Sequence, residues 1–387
     1  MKKKLAILGS TGSIGKSLIK IIKKDKKNFK IELLTAKKNY RELLNQAKFF
    51  NVKNIIITNE KEYKIAKLKN KNKGIKIYND FKSFKKIFSK KIDYVMSAIT
   101  GIDGLYPTIN IIKYTKNIAI ANKESIICAW NLIQKELKKN KTFFIPVDSE
   151  HFSIWYALKN NFKSSVRKIF ITASGGPLLN LSIEEIKNVK MTKVLKHPNW
   201  KMGKKITIDS STLMNKVFEI IEAKKIFQLK YKDLLILIHP ESYVHALIDY
   251  NDGLKKIIAH DTTMKIPIFN SLYHDTNKSI KSKKIDFKKL NNLNFSEVNY
   301  EKFPLVKIIN NLPDKNSLFE TVLVSANDKL VELYLNKRIK YTDIPTKLNL
   351  ILKLDEFLRL KKRYPHRIDQ IYKLNKYVRL KVESMCV

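Results

Sequence analysis

Two carboxylates lie one residue apart in the stretch PVDSEH, which occupies residues 146 to 151. Asp148 and Glu150 follow the apolar run TFFIPV with no lysine between them, although Lys and Arg outnumber Asp and Glu by 77 to 35 over the chain. In an extended segment, side chains two residues apart point the same way, so both carboxylates would face one point. Such a pair favours a bound cation. The alternative is a helix N-cap, in which Asp or Ser is followed by Glu.

A second group of polar residues lies in the segment STLMNKVFE. Asn215 and Glu219 are four residues apart and would share one face of a predicted helix, with Lys216 beside them. The helix is predicted to begin just after DSS, which places Ser210 at its N-terminus, where a phosphate is favoured. Oxygen ligands without His or Cys indicate a hard cation such as Mg²⁺ or Mn²⁺, with Glu219 as a candidate third ligand.

The glycine-rich segment GSTGSIG, residues 9–15, follows the first predicted strand and opens the first predicted helix. Dinucleotide sites typically combine a tight turn, a backbone that the pyrophosphate can approach closely, and a helix N-terminus. The spacing is GxxGxxG instead of the usual GxGxxG. At the end of the second strand an NAD enzyme would have Asp or Glu for the ribose 2′-hydroxyl, but this chain has Lys37, Lys38 and Asn39, which favours NADP.

The elements that must position these residues follow a regular order up to residue 147. Short apolar runs (KLAIL, KIELLTA, NIIIT, IDYVMSAI, NIAIA and TFFIPV) alternate with helical patterns. Strands separated by helices predict βαβ units and a parallel sheet covered by helices on both faces. We therefore expect an α/β protein in which residues 1–147 form a Rossmann-like, doubly wound dinucleotide-binding domain.

The pattern changes after residue 147. RKIFITAS and KITIDSS are predicted strands, STLMNKVFEIIEAKKIF an amphipathic helix, and YVHALIDYNDGLKKIIAH a hairpin that turns at residues 251–253. Residues 148–275 are therefore expected to form a central α+β catalytic domain. A lysine-rich linker over 276–300 and a C-terminal α-helical domain over 301–387 complete the expected order.

The net charge of +42 raises the alternative of a nucleic-acid-binding protein. The lysines, however, are spread along the whole chain, and only seven of the 77 basic residues are Arg, which favours a solvated surface over a binding face. No apolar run reaches the roughly 18 residues of a membrane span or forms a signal peptide. Two cysteines without a disulfide or zinc pattern suit a reducing compartment, so a cytoplasmic location is expected.

The motifs GSTGSIG, ANKES, PVDSEH, SGGP, HPNWKMGKKITIDSSTLMNK, IHPES and SANDKLVELYL, in this order, closely resemble the 1-deoxy-D-xylulose 5-phosphate reductoisomerase family. The resemblance runs through nearly the whole chain. It implies an NADPH-dependent enzyme of the methylerythritol phosphate route to isoprenoids, which acts on a sugar phosphate. It also implies a divalent metal (Mg²⁺, Mn²⁺ or Co²⁺), a homodimer, and no nucleic-acid or membrane partner.

The resemblance also assigns roles to individual residues. The metal ligands would be Asp148, Glu150 and Glu219. The substrate-phosphate contacts would be Ser174, Ser210, Asn215 and Lys216, and the contacts with the substrate hydroxyls would be Lys123 and Ser149. The residues of a loop that closes over the substrate would be His197, Trp200 and Met202. The NADPH site would be formed by Thr11, Gly12, Ser13, Ile14, Lys38, Asn39, Asn122, Glu124 and Gly203.

Four positions depart from the family pattern beside these residues. Lys37 stands where glycine is common and Phe152 where Asn is usual, while Ala173 and Val217 replace glycines beside the phosphate serine and the helix start. None removes a functional residue, so we expect them to change affinity more than activity.

A different NADP-linked dehydrogenase on the same N-terminal fold is the nearest alternative enzyme. A semialdehyde dehydrogenase would need a catalytic cysteine in its second domain, and neither Cys128 nor Cys386 lies in a suitable motif.

Overall fold

The computed structural model describes residues 2–70, 74–159, 165–200 and 202–386. The chain divides into two compact units. The first comprises Met1–Ser125, Leu132–Asp148 and Met264–Ile280, and the second comprises Ile126–Asn131, Ser149–Thr263 and Lys281–Val387. The expected division into three domains and a linker, with borders near residues 147, 275 and 300, stays a prediction.

A parallel sheet of seven strands forms the centre of the first unit. The strands are β1 (Lys3–Leu8), β2 (Phe29–Ala36), β3 (Asn54–Ile57), β4 (Lys76–Tyr78), β5 (Ile92–Ser97), β6 (Thr115–Ile120) and β7 (Phe143–Pro146). They pair in the order β4-β3-β2-β1-β5-β6-β7, and every pair is parallel. The chain starts in the middle of the sheet and winds outward in both directions, which confirms the predicted doubly wound α/β fold.

Six helices alternate with these strands. They are α1 (Ser13–Lys24), α2 (Tyr40–Phe50), α3 (Glu60–Lys69), α4 (Phe84–Ile87), α5 (Leu105–Ile111) and α6 (Lys123–Lys139). The sequence analysis predicted six of the seven strands and missed β4. That strand is only three residues long, and none of its residues is fully buried, so it carries no apolar run that a pattern could detect.

The glycine-rich turn between β1 and α1 depends on the absence of two side chains. Gly9 has φ of +82°, a conformation that glycine adopts without strain. A Cβ atom on Gly15 would lie 2.4 Å from the carbonyl oxygen of Gly9, so the first turn of α1 packs directly on the end of β1. The helix starts at Ser13 with Gly12 as its N-cap, and no described side chain caps it. Its first backbone N–H groups are therefore available to an anion.

The second unit contains a smaller mixed sheet. The α-helices and strands described between residues 149 and 259 are α7 (Ser149–Ala157), β8 (Val166–Ala173), α8 (Ile183–Lys187), α9 (Met191–Val194), α10 (Lys204–Ser211), α11 (Met214–Phe227), β9 (Leu234–Ile238), β10 (Val244–Tyr250) and β11 (Lys255–Ala259). The strands pair in the order β11-β10-β8-β9, with β10 antiparallel to both neighbours and β8 parallel to β9. The predicted hairpin is confirmed as β10 and β11. Ile171 and Ala246 of the sheet pack with Ile220 and Ala223 of α11, which positions that helix.

One predicted strand is wrong. KITIDSS forms helix α10, which begins after Gly203. Ile206 and Ile208 alternate with polar residues as in a strand. Ser211, however, lies three residues after Ile208 and four after Thr207, which is the spacing of one helix face. These three residues are buried, which favours the helix. Ser210 consequently lies in the last turn of α10 and not at the N-terminus of α11, which begins at Met214.

The α-helices described after residue 260 belong to both units. They are α12 (Lys265–Leu272), which belongs to the first unit, and α13 (Phe287–Asn291), α14 (Phe319–Leu335), α15 (Asp343–Leu352), α16 (Asp355–Leu358) and α17 (Ile368–Cys386) of the second. α14 packs on α15 and α17. Within the predicted linker, Ser296 forms a bridge with Ile238 of β9. No helix in the described ranges is long and apolar enough to cross a membrane.

The substitution Gly15→Ala should destabilise the protein by about 1–3 kcal/mol, because the new methyl group must displace backbone atoms that cannot move independently. The thermal midpoint of the ligand-free protein measures this loss. Gly203→Ala is the matched control, since no described atom lies within 4 Å of the added Cβ and the position should tolerate it. Equal midpoints for the two variants would contradict the close packing of α1 on β1.

Candidate active site

The acid pair lies where β7 ends and α7 begins. Asp148 ends the segment Leu132–Asp148 of the first unit, and Ser149, the first residue of α7, begins the segment Ser149–Thr263 of the second. Glu150 is therefore helical, and the expectation of an extended segment across the pair is wrong, although the chain still holds the two carboxylates two residues apart. Within the first unit, Asp148 forms an ion pair of 2.7 Å with Lys123, at the start of α6.

Lys216 joins two buried carboxylates of the second unit. Its Nζ lies 2.5 Å from Glu150 Oε1 and 2.5 Å from Glu219 Oε2. Carboxylate oxygens of the two glutamates lie within 4.8 Å of each other, and all three side chains are buried. The two acids converge because α7 carries one of them and α11 carries the other, together with the lysine. The two acids therefore share the positive charge of Lys216.

Charge compensation outweighs burial in this cluster. Burial opposes ionisation of Glu150, but the Lys216 ammonium holds the pKa of that carboxyl well below its usual range. Burial likewise lowers the pKa of Lys216, but the Glu150 and Glu219 carboxylates reverse this and raise the pKa of its ammonium above the ordinary value. The lysine and Glu150 are therefore both charged at neutral pH, as an ion pair inside the protein requires.

Polar neighbours hold the two acids in place. Ser149 Oγ donates to Glu150 Oε2 at 2.6 Å, and the Asn215 amide donates to Glu219. His151, which the sequence analysis did not select, lies with Nε2 2.9 Å from the backbone carbonyl oxygen of Glu219 and links α7 to α11. The only signal for it in the sequence was its position directly after the acid pair.

Two serine hydroxyls meet at a histidine in the same unit. His197 Nε2 lies 3.1 Å from Ser174 Oγ and 3.2 Å from Ser210 Oγ. Gly176 follows Ser174 with φ of +68°, and a Cβ on it would lie 2.7 Å from the carbonyl oxygen of Ser210. The SGGP turn can therefore pack directly against the last turn of α10. Two hydroxyl groups and an N–H-bearing histidine at one place can bind an anion such as phosphate.

The protonation of His197 follows from its other hydrogen bonds. Its Nδ1 accepts from the backbone N–H groups of Asn199, at 3.2 Å, and Trp200, at 3.0 Å. Burial, aided by the positive charge of Lys216, lowers the pKa of His197 to about 4, so the ring is neutral at pH 7. A neutral ring that accepts at Nδ1 carries its proton on Nε2, which therefore donates toward the serine hydroxyls.

The segment HPNWKMG is held at several points, although Lys201 lies outside the described residues. The Asn199 amide donates to the carbonyl oxygen of Pro240 at 2.6 Å, in the IHPES segment. The Trp200 ring meets the ring of His245 edge-on, with the centroids 6.1 Å apart. Through this one segment, His197 contacts Ser174 and Ser210, and Trp200 contacts His245 of β10. Met202 of the same segment is half-buried.

The expected NADPH residues of the first unit lie at the carboxyl ends of β1, β2 and β6, the edge where doubly wound sheets bind ligands. They are Thr11, Gly12, Ser13 and Ile14 before and within the first turn of α1, Lys38 and Asn39 between β2 and α2, and Asn122 and Glu124 at the start of α6. Gly203, in the second unit, is the N-cap of α10.

Two of these residues also have local structural roles. The Asn39 side chain accepts from Glu42 N and caps α2, while the Asn122 side chain accepts from Ser125 N at 2.6 Å and caps α6. Asn122 also donates to the carbonyl oxygen of Gly101 at 2.7 Å. Lys37, one of the departures from the family pattern, forms an exposed ion pair of 2.8 Å with Asp103. No acidic side chain other than Asp103 forms a described ion pair with residues 37–39.

Comparison with known proteins identifies one family along nearly the whole chain. The family model described as 1-deoxy-D-xylulose 5-phosphate reductoisomerase matches residues 5–130, and the models of its C-terminal domains match residues 144–227 and 261–381. The Pelagibacter ubique enzyme of that name is 60% identical over 387 residues, which is 100% of both chains. The Sulfurihydrogenibium enzyme is 40% identical and covers 88% of each chain.

Solved structures give the same result. The Zymomonas mobilis 1-deoxy-D-xylulose 5-phosphate reductoisomerase in complex with NADPH aligns with a TM-score of 0.89 and 28% identity, over 100% of this chain and 99% of its own. A reductoisomerase in complex with NADPH, fosmidomycin and magnesium aligns with a TM-score of 0.90 and 31% identity, over 99% of this chain and 98% of its own. This chain therefore belongs to the 1-deoxy-D-xylulose 5-phosphate reductoisomerase family.

Proposed function

We propose that Asp148, Glu150 and Glu219 hold the divalent cation with which this chain carries out the reaction of its family. As an NADP-dependent oxidoreductase and isomerase, the chain converts 1-deoxy-D-xylulose 5-phosphate to 2-C-methyl-D-erythritol 4-phosphate in isoprenoid precursor biosynthesis. The observation that carries the assignment of the cation site is the convergence of Glu150 and Glu219, two buried acids whose carboxylate oxygens lie within 4.8 Å of each other.

The donor set fits a hard divalent cation. Glu150 and Glu219 provide carboxylate oxygens, Asp148 adds a third carboxylate from the adjacent chain segment, and no sulfur or imidazole belongs to the set. Oxygen donors suit Mg²⁺ best and also accept Mn²⁺ or Co²⁺. When bound, the cation would polarise the carbonyl and adjacent hydroxyl oxygens of the substrate.

Residues of the second unit would anchor the substrate phosphate. Ser174 and Ser210 provide hydroxyl groups, and His197 provides an N–H group that points at both of them. Asn215 and Lys216 lie on the first turn of α11, and the proposed metal ligand Glu219 follows on the same helix four residues after Asn215. Binding of the phosphate far from the reacting carbons contributes energy that holds the substrate in its reactive position.

The remaining residues would orient the carbon skeleton. Lys123 and Ser149 each bond one of the acids and can donate to substrate hydroxyl groups. The rearrangement exchanges one carbon–carbon bond for another and yields an aldehyde, which hydride from NADPH and a proton then reduce. Of the two routes, a retro-aldol/aldol sequence or a concerted ketol shift, the family likeness favours the first.

The glycine-rich turn fits a dinucleotide. Gly12 leaves the start of α1 without a side-chain cap among the described residues, and Gly9 and Gly15 keep the turn compact. We assign the NADPH pyrophosphate to this helix N-terminus and the ribose 2′-phosphate to the neighbourhood of Lys38 and Asn39. The related structures with NADPH support this assignment.

Two further features of the chain remain proposals. We expect a homodimer, which the family likeness suggests and the open edge of β11 supports, since Leu254 and Ile257 are exposed there (67% and 49%). We expect a cytoplasmic location because neither Cys128 nor Cys386 forms a disulfide.

NADPH should bind at least tenfold more tightly than NADH, because residues 37–39 offer cationic and amide groups and no acid for a ribose 2′-hydroxyl. Titration of nucleotide fluorescence measures both dissociation constants. Lys38→Glu should reduce the preference, and Lys27→Glu, at another exposed lysine, should leave it unchanged. Equal dissociation constants in the unmodified chain would refute the NADP assignment.

Glu150→Gln should raise the Mg²⁺ concentration needed for half-maximal activity at least tenfold, because an amide is a weaker ligand than a carboxylate and the site loses one negative charge. NADPH affinity should hardly change. Glu185→Gln is the control for loss of a helix cap, since Glu185 closes the capping box of α8 at an exposed position. If Glu150→Gln lowers only the thermal midpoint, by the roughly 1 kcal/mol of a lost cap, and leaves the Mg²⁺ curve unshifted, Glu150 is not a ligand.

Trp200→Ala should lower kcat/KM by about tenfold or more while NADPH affinity stays within twofold, because the ring belongs to a segment expected to close over the substrate. Trp200→Phe keeps an aromatic ring facing His245 and should retain most of the activity. Steady-state kinetics at saturating NADPH and Mg²⁺ measure both variants. An unchanged kcat/KM for Trp200→Ala would remove this segment from the mechanism.

A further inference from the structure

We propose that Asn327, on the C-terminal helix α14, is a positioning residue of the phosphate site. It acts through Asp209, which fixes the last turn of α10 and thereby the hydroxyl group of Ser210. The inference rests on the proposed function, because it requires Ser210 to bind the substrate phosphate. The sequence analysis assigned no role beyond packing to the C-terminal helices.

A buried hydrogen bond and an ion pair join the two helices. Asn327 Nδ2 donates to Asp209 Oδ1 at 2.8 Å, and the two residues are 0% and 2% exposed. A carboxylate only accepts, so the amide must present its nitrogen, and the orientation of the Asn327 side chain is fixed. Lys205 lies 3.3 Å from Asp209 Oδ2 and 2.9 Å from Asp328 Oδ1, and it balances the charge of both acids.

This bond determines how α10 is rotated about its axis. Successive residues of a helix point about 100° apart. Because Asp209 is directed at α14, the neighbouring Ser210 is directed at His197, with its Oγ 3.2 Å from His197 Nε2. Loss of the Asp209 contact would let the turn rotate and would move the Ser210 hydroxyl away from the place where it meets Ser174.

A second contact holds the same turn from the C-terminal region. The Tyr341 hydroxyl donates to the backbone carbonyl oxygen of Ser211 at 2.9 Å, and both residues are buried. On another side, the SGGP turn lies so close that Gly176 has no room for a Cβ beside Ser210. The last turn of α10 is therefore held by helix α14, by Tyr341 and by the SGGP turn.

Packing alone does not explain an amide at position 327. Asn327 Oδ1 is buried, and no residue that the structure describes donates a hydrogen bond to it. A buried acceptor without a donor is unfavourable, and an apolar residue of similar size would avoid that cost. The Asn327 amide therefore orients the last turn of α10 more than it stabilises the protein, because its described hydrogen bond is to Asp209, the residue next to Ser210.

The test compares four variants with the unmodified chain. Asn327→Asp places a second buried carboxylate against Asp209, and Asn327→Leu removes the donor without adding charge. The exchange variant Asp209→Asn/Asn327→Asp restores one carboxylate facing one amide. Ser325→Ala is the matched control, because Ser325 is a fully buried polar residue of the same helix. Each protein is assayed for KM and kcat, for NADPH affinity, and for the rise in thermal midpoint caused by inorganic phosphate.

We expect Asn327→Asp to raise KM at least tenfold and Asn327→Leu to raise it about threefold, with most of the change in KM and not in kcat. The stabilisation by inorganic phosphate should shrink in parallel, while NADPH affinity stays within twofold. The exchange variant should return KM to within about threefold of the unmodified chain, and Ser325→Ala should change none of these quantities except the thermal midpoint.

Several outcomes would overturn the inference. An unchanged KM in Asn327→Leu, or an exchange variant no better than Asn327→Asp, would show that the residue only packs. Should Asn327→Asp fail to fold, the comparison of Asn327→Leu with Ser325→Ala decides alone. A further outcome is that the unmodified chain turns over its substrate although inorganic phosphate neither stabilises the protein nor competes with the substrate. In that case the proposed phosphate site is wrong. This outcome differs from that of Asn327 variants with unchanged KM, which would contradict only the role of Asn327.

Discussion

Two carboxylates buried against one ammonium group constrain the arrangement of the second unit. Glu150 and Glu219 cannot both stay ionised inside a protein without a cation between them, and Lys216 meets both at 2.5 Å. This requirement brings α7, which carries the first acid, against α11, which carries the second acid and the lysine. Hydrogen bonds from Ser149, and from His151 to the backbone of Glu219, then fix the position of each acid.

The fold and much of the site could be predicted because they depend on local patterns. The alternation of apolar strands and helices predicted the doubly wound sheet, and the glycines of residues 9–15 predicted the turn that precedes α1. The acid pair was recognised from its setting at the end of β7. Family resemblance then decided between this enzyme, another NADP-linked dehydrogenase and a nucleic-acid-binding protein, a choice confirmed by the full-length match with the reductoisomerases.

The predictions from sequence failed, or were missing, where contacts between residues far apart in the chain determine the structure. KITIDSS carries both a strand pattern and a helix pattern, and only burial against the rest of the second unit favours the helix α10. The hydrogen bond between Asp209 and Asn327 joins residues 118 positions apart, and no spacing along the chain could indicate it. Likewise, the role of His151 became apparent only when α7 and α11 lay side by side.

The central claim is that the acids of PVDSEH and Glu219 form a cation site, and direct binding of Mn²⁺ tests it without turnover. Electron paramagnetic resonance of free Mn²⁺ during a titration gives the number of bound ions and their affinity in the NADPH-bound protein. The account predicts one site per chain, with an affinity at least tenfold lower in Glu219→Gln. Binding of equal strength in that variant, or no site above background in the unmodified chain, would contradict it.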